Sequence, residues 1–199
     1  SKFKFTSIIH HGAIIMERRN AVEYRTENEG NIISGYAAVF TDSSGKPSLS
    51  ENLGGFREIV APTAFNERSG KVLAYYNHDS SQVLGKEGTN LELSVDSRGL
   101  RFSLVLPDTT TGRDVRELIR AGILSGVSFG FTVNKDSWTV VNNEKIRTLE
   151  SVTLYEISPT ANPAYPDTSV ALRNLAEVER SEARRKQAIA RIKLMKWNF

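Results

Sequence analysis

The sequence predicts a mainly β (α+β) fold, namely an antiparallel β-barrel with short peripheral helices and a long C-terminal helix. Strand-like segments follow one another from residue 20 to residue 158, and turns rich in Gly, Asn, Ser and Pro separate them. Two short segments in that range are typical of helices. From residue 170 to residue 198 there is neither Gly nor Pro, and Ala, Glu, Arg, Lys and Leu dominate, which is typical of a long helix.

The first half of the body predicts a hairpin, a loop, a strand and a helix. "AVEYRTE" alternates and "IISGYAAVF" is apolar, so the turn "ENEGN" between them indicates a hairpin. "TDSSGKPSLSENLGG" (residues 41–55) predicts a long, mobile loop, and "FREIV" predicts a strand. "APTAFNERSG" predicts a short helix, because Pro62 lies near its start and Gly70 just past its end.

The second half predicts more strands and one further helix. "KVLAYYNHD" is a strand that runs into a polar turn, and "TNLELSVD" and "GLRFSLVLP" form an antiparallel pair. "DTTTGRDVRELIRAG" has the clearest helix pattern of the body, with candidate N-cap residues at Thr109–Thr111 and Gly122 at its C-terminal end. Three strand-like stretches follow: "ILSGVSFGFTV", "WTVVNNEKIRTLE" with an Asn-Asn turn, and "SVTLYEIS".

Composition excludes several classes of function. The 199 residues suit one domain with an appended element. There is no cysteine, so disulfides, thiolate metal sites and a Cys nucleophile are excluded. No apolar run reaches the roughly 18–20 residues of a membrane helix, and no membrane partner is expected. Residues 1–16, "SKFKFTSIIHHGAIIM", are expected to be an N-terminal extension and not a signal peptide, because His10–Gly12 interrupt the apolar stretch.

The charge is unevenly distributed along the chain. Residues 173–199 contain eight Lys/Arg and three Asp/Glu, a net charge of +5, whereas residues 1–172 carry a net charge of −2. Nucleic-acid binding would therefore depend on this tail alone, and it would show a steep salt dependence. The body has no aromatic stretch interleaved with basic residues, so a nucleic-acid partner is not expected.

Two serines stand in the glycine-rich segment "RAGILSGVSFGFTV". In a strand, Ser128 shares a face with Gly126 and Gly130, and that face is free of bulky side chains around the hydroxyl. A nucleophile needs such clearance, and nearby backbone N–H groups could stabilise an oxyanion. The alternative is that small residues serve only close packing. Ser125 lies three residues away, on the opposite face of a regular strand, so only one of the two serines would be the nucleophile.

A histidine and a carboxylate are the other candidates. His78 stands where a strand gives way to "HDSS", at the rim of a sheet, and one His with scattered carboxylates does not make a metal site. Glu156 lies inside the apolar run "SVTLYEIS". Burial of its carboxylate is costly unless a partner such as a His that it orients repays the cost. The alternative is that the strand is half exposed and Glu156 faces water.

A series of segments, in order, resembles one protein family. They are "ISGYAAVF", "FREIVAPTAF", "VLAYYNHD", "VLGKEGTNLELSVDSRGLRFSLVLPDTTTGRDVRELIRAGILSGVSFGF", "YEIS" and "NPAYPDT". Together they resemble the prohead maturation serine proteases of tailed bacteriophages (caudoviruses). The resemblance spans about residues 17–172, and "MERRN" from Met16 resembles a usual start. We therefore expect an extension over residues 1–16, a protease domain over 17–172 and a basic helical tail over 173–199.

The resemblance implies a serine endopeptidase with a β-barrel related to the herpesvirus assemblins. Such enzymes cleave scaffold segments inside the immature capsid, in the host cytoplasm, and often cleave themselves. The family's His falls on His78 and its Ser on Ser128, with Ser125 as the alternative. The acidic residue of the family's "LYEIS" segment falls on Glu156. The herpesvirus enzymes use a second His as third member, and since this body has none, a carboxylate must serve in a complete triad. The expected mechanism is acyl transfer, with no cofactor or metal.

The resemblance also implies the partners and leaves some points open. The major capsid protein and its scaffold segment are the expected substrates, and a homo-oligomer is possible. The basic tail could dock onto the capsid or scaffold, be removed by self-cleavage, or be a solvated helix. Backbone N–H groups near Gly126–Phe129 or in "TANPAYP" could bind the oxyanion. The alternative function is a non-catalytic capsid-assembly or scaffold module that retains the fold.

Overall fold

The computed structural model describes residues 3–4, 16–21, 23–27, 31–66, 68–161, 179–180 and 183–190. The chain divides into two units, Ser1–Pro166 and Asp167–Phe199. The domain boundaries expected after residues 16 and 172 stay predictions.

The first unit consists of strands with one helix among its described residues. The strands are β1 (Phe3–Lys4), β2 (Glu17–Ala21), β3 (Glu23–Glu27), β4 (Ile32–Val39), β5 (Arg57–Val60), β6 (Arg68–Tyr76), β7 (Asp79–Lys86), β8 (Leu91–Val95), β9 (Gly99–Val105), β10 (Gly126–Val141) and β11 (Glu144–Thr160), and the helix is α1 (Thr110–Arg120). The mainly β prediction is confirmed.

The described strands pair in two sheets. One has the order β1-β10-β11-β6-β7, with β2 added beside β10 and β5 beside β11, and the other has the order β3-β4-β9-β8. All pairs are antiparallel except two: β5 and β6 each pair with β11 in parallel. These two strands follow each other along one edge of the 17-residue β11. The parallel pairs depart from the antiparallel prediction, and closure into a barrel stays a prediction.

The three predicted strand-like stretches after α1 form two long strands. β10 and β11 are joined at Asn142 and Asn143, whose φ angles are 50° and 65°. Asn tolerates this left-handed conformation, which a two-residue hairpin turn requires, so the predicted Asn-Asn turn is confirmed. Between the first two predicted stretches the strand continues through register shifts, for example between Val133 and Lys135.

The helix predicted over residues 61–70 is wrong. Residues 62–65 form turns, and β6 begins at residue 68. The amides of Ala64 and Asn66 bond to carbonyls three residues back, at Ala61 and Thr63. The carbonyl of Ala64 accepts from Val152 N at 2.8 Å, so it is engaged by β11 and not by a fourth-residue helical partner. Tertiary pairing has overridden the local helix signals.

The helix predicted over "DTTTGRDVRELIRAG" is confirmed as α1. The Thr109 hydroxyl caps it by accepting from Gly112 N at 3.1 Å, and Gly122 follows its end with a φ of 70°. Val115 and Ile119 are buried in the core.

The predicted β3–β4 hairpin and β8–β9 pair are also confirmed. Most of residues 41–55 are irregular. β7 was not predicted, because "DSSQVLGK" begins polar and stays exposed over most of its length.

A buried ionic cluster ties β2 to β5, β10 and β11 by way of Arg19 and Arg147. Arg147 Nε donates to Asp136 at 2.7 Å, and its terminal nitrogens donate to Glu17 at 2.9 and 3.1 Å and to Glu58 at 3.2 Å. Arg19 donates to Glu58 at 2.6 and 2.9 Å and to Glu17 at 2.7 Å. Burial alone would raise the pKa of Glu17, but the two guanidinium groups outweigh it and hold this pKa below its usual value.

The second unit is helical at residues 179–180 and 183–190, and these residues are exposed. The remainder of the predicted C-terminal helix lies outside the described residues. So do His10 and His11 in the expected N-terminal extension. No helix of the described ranges has the length and apolar character needed to cross a bilayer.

Candidate active site

His78 stands in a tight turn between β6 and β7. Tyr76 pairs with Asp79, so Asn77 and His78 form a two-residue loop, and both have positive φ angles, 51° and 62°. Outside glycine this conformation is uncommon, and Asn and His are among the residues that adopt it most readily. Two bonds anchor the loop to the end of β11: Asn77 N donates to the carbonyl of Pro159 at 3.1 Å, and Thr160 Oγ1 donates to Asn77 Oδ1 at 3.0 Å. The strained turn therefore holds the imidazole above β11.

Glu156 lies on β11 below this turn and is buried, with 3% of its surface exposed. Its Oε1 accepts from His78 Nδ1 at 2.6 Å, and the side chain of His78 is only 9% exposed. An ionised carboxylate can only accept, so in a neutral imidazole this contact assigns the proton to Nδ1 and leaves the Nε2 lone pair for use as a base. The possibility that Glu156 faces water is thereby overturned.

Ser128 lies on β10, directly opposite Ser158 of β11. It has no exposed surface. The neighbouring Phe129 and Phe131 belong to the hydrophobic core and stack with ring centroids 5.0 Å apart. Gly130, on the Ser128 side, faces Glu156: a Cβ at this position would lie 2.5 Å from Glu156 Oε1. Only glycine leaves room for the carboxylate beside the hydroxyl.

Three of the predicted residues therefore share one patch of the sheet. His78 and Glu156 are in direct contact. Ser128 on β10 lies directly opposite Ser158, which is the next residue after Glu156 on the same face of β11. Within the described part of the chain, Ser128 Oγ and His78 Nε2 are both buried and have no hydrogen-bond partner. In many hydrolases the contact between nucleophile and base forms only in the Michaelis complex. Because Ser128 is fully buried, a peptide can reach its Oγ only after the atoms that cover it move.

Ser125 lies outside the patch formed by His78, Glu156 and Ser128. It precedes β10 and is exposed, so it is not on the opposite face of a regular strand, as the sequence suggested. The geometry gives Ser125 no contact with His78 or Glu156 among the described residues.

Two residues in this patch were missed from the sequence. Ser158 Oγ donates to Glu156 Oε2 at 2.5 Å, and its spacing of two residues from Glu156 in a strand was an available signal. Arg18 lies opposite Gly130 on β2, and its Nε is 3.9 Å from Glu156 Oε1. No local signal could identify Arg18, because its place depends on the pairing of strands about 110 residues apart.

The strand pairing of β10 limits which backbone N–H groups could bind the oxyanion. From Val127 to Phe131, β10 is flanked by β2 on one side and β11 on the other, so its N–H groups point within the sheet and not toward the face of Ser128. The other segment named for this role, "TANPAYP", lies mostly outside the described residues. Among the residues that are described, no cluster of three or more His, Asp or Glu side chains is arranged to hold a metal ion.

The chain is similar to a protein family and to a curated relative. The family model described as caudovirus prohead serine protease matches residues 18–181. A curated relative, the prohead protease of Enterobacteria phage HK97, is 27% identical over 159 residues, which cover 75% of this chain. The chain spans only 63% of the length of that relative. No solved structure matches the chain significantly.

Proposed function

Since the chain belongs to the caudovirus prohead serine protease family, we propose that it is a serine endopeptidase in which Ser128 is the nucleophile, His78 the general base and Glu156 the residue that orients His78. The observation that carries this proposal is the buried His78–Glu156 contact of 2.6 Å beside a serine hydroxyl that has no partner in the described part of the chain. A buried carboxylate, an imidazole with a free Nε2 and an unengaged hydroxyl are the three groups that acyl transfer needs.

The proposed reaction follows from the orientation of the imidazole. Ser128 Oγ attacks the carbonyl carbon of the peptide bond while His78 Nε2 takes its proton. His78 then gives that proton to the leaving amine as the C–N bond breaks, and an acyl-enzyme remains. Water, deprotonated by His78, releases the new carboxylate and restores the hydroxyl of Ser128. The carboxylate of Glu156 stabilises the imidazolium at each proton transfer.

The proposed substrate is the scaffold segment of a major capsid protein. The curated relative is named a prohead protease, and the proposal extends that role to this chain: cleavage inside the immature capsid in the host cytoplasm, with self-cleavage. We also propose that the chain forms a homo-oligomer and that its strands close into a β-barrel related to that of the assemblins.

Coexpression with a capsid protein that carries its scaffold segment tests the proposal. The wild-type chain is expected to convert the capsid protein to a shorter species, and mass spectrometry of the new termini identifies the cleaved bond. Ser128→Ala is expected to abolish this conversion, because it removes the attacking oxygen and leaves the fold intact. The matched control, Ser125→Ala, is expected to cleave like the wild type.

Three results would overturn the proposal. Equal processing by wild type and Ser128→Ala would do so, and so would loss of cleavage in Ser125→Ala alone. A folded wild-type chain that leaves the capsid protein intact but still promotes its assembly would indicate the non-catalytic capsid-assembly module instead.

A further inference from the structure

We propose that Ser158 is a positioning residue of this site, which locks the carboxylate of Glu156 so that one of its oxygens faces His78. The effect of Ser158 on catalysis rests on the proposed function, whereas its effect on the orientation of Glu156 follows from the contacts alone. Ser158 Oγ donates to Glu156 Oε2 at 2.5 Å, while Glu156 Oε1 accepts from His78 Nδ1 at 2.6 Å. The two oxygens thus have separate, dedicated donors.

The surroundings of Ser158 favour this role over simple packing. Ser158 has no exposed surface, so its hydroxyl cannot bond to bulk water and needs a partner in the protein. It shares a strand face with Glu156, two residues away, and lies directly opposite Ser128. An alanine would fill nearly the same space, so packing alone does not require a hydroxyl there.

The carboxylate needs such a lock because its other neighbours do not fix it. Gly130 packs against the carboxylate on the β10 side but has no side chain that could bond to it. Arg18, the other charged group beside Glu156, stays 3.9 Å from Oε1 with its side chain 42% exposed. An exposed guanidinium at that distance stabilises the negative charge without fixing the rotation of the carboxylate. The hydroxyl of Ser158 is the contact that fixes the plane of the carboxylate with one oxygen toward His78.

The inference predicts two changes when the hydroxyl is removed. The carboxylate can rotate, so the fraction of molecules with the imidazole correctly held falls. The negative charge that Ser158 shares returns to the carboxylate and strengthens its hold on a proton or on the imidazolium. The first effect lowers the rate at every pH. The second keeps His78 from acting as a base until a higher pH, with Arg18 unchanged beside Glu156.

The experiment compares the wild type with Ser158→Ala, and with Ser158→Thr as the conservative variant that keeps the Oγ. The first measurement is the NMR signal of the His78 Nδ1 proton, which needs no activity. The second is the rate at which a fluorophosphonate labels Ser128, as a function of pH; the Oγ displaces fluoride from phosphorus and His78 takes the proton. Ser128→Ala gives the background, and melting temperatures report the fold.

Ser158→Ala is expected to shift or broaden the His78 proton signal, to slow labelling about tenfold and to move the acidic limb of the pH profile upward; the tenfold loss corresponds to about 1.4 kcal/mol. Ser158→Thr is expected to restore most of the rate and the limb. A Ser158→Ala protein that melts lower but keeps the wild-type NMR signal and pH profile would overturn the inference. If the wild type is not labelled at Ser128 while the His78 signal still responds to Ser158→Ala, the proposed function fails and the positioning role stands.

Discussion

Gly130→Ala is expected to disable the site while leaving the fold in place. A Cβ at this position would lie 2.5 Å from Oε1, 2.9 Å from Cγ and 3.0 Å from Cδ of Glu156, whereas ordinary contacts begin near 3.4 Å. The carboxylate must therefore retreat by about 1 Å, although the bond it makes to His78 Nδ1 is only 2.6 Å long. A misplacement of about 1 Å in a catalytic constellation costs on the order of 10²-fold in rate.

The assay is the second-order rate of fluorophosphonate labelling at Ser128, measured beside thermal unfolding. We expect a loss of about 100-fold in labelling, with a stability loss of about 1–3 kcal/mol as for other overpacked sites. Gly85→Ala is the matched control, because its Cβ would meet Leu104 Cδ1 at 2.5 Å and Asn90 Oδ1 at 2.8 Å, away from the His78–Glu156 contact. It should lose stability and keep its labelling rate.

Labelling of Gly130→Ala at the wild-type rate would refute this reasoning, since it would mean that the position of the carboxylate does not control the imidazole. An equal loss in Gly85→Ala would show that general destabilisation, and not the displaced carboxylate, slows the reaction.

Two further predictions concern the buried ionic cluster. Arg147→Met leaves Glu17 and Glu58 with Arg19 alone and removes the bond that Arg147 Nε donates to Asp136. Urea denaturation should therefore show a loss of about 3–5 kcal/mol, against under about 1 kcal/mol for Arg113→Met, whose pair with Asp108 is exposed; equal losses would contradict the burial argument. Because the folded pKa of Glu17 lies below its usual 4.5, its contribution to stability is present above about pH 4.5 and is lost as the pH falls through the folded value. Melting temperatures from pH 7 to pH 3 should fall less steeply in Glu17→Gln, and an unchanged slope would count against this group.

Local patterns in the sequence predict those parts of the fold that local physics decides. Alternation marks the strands around Leu91 and Leu104, and the cap at Thr109 with the stop at Gly122 marks α1. Residues 61–70 also carry local helix signals, at Pro62 and Gly70, but they do not form a helix, because the carbonyl of Ala64 is bonded to β11. Parallel pairing to β11 leaves no local trace in the strands that perform it.

The same division applies to the site. The clearance around Ser128 and the cost of burying Glu156 can be deduced from the sequence, although each deduction leaves an alternative open. The contact between His78 and Glu156 joins residues 78 positions apart. The cost of burying Glu156 suggests a His partner, but it was the resemblance to the family that assigned His78 and Glu156 to one site. Arg18 depends on which strand lies next to β10, and that information is spread over the whole chain.

The ionic cluster and the active-site patch are two consequences of one strand register. In β2, Glu17 and Arg19 point to the cluster and the intervening Arg18 reaches toward Glu156, because successive side chains of a strand point to opposite faces. A slip of one residue would bury Arg18 where Arg19 now meets Glu58 and would turn the cluster residues toward Ser128. Each partner of the cluster penalises that slip, since it would leave a buried carboxylate unpaired. The charges on the far face of β10 therefore fix the register on which the site depends, without touching any reacting atom.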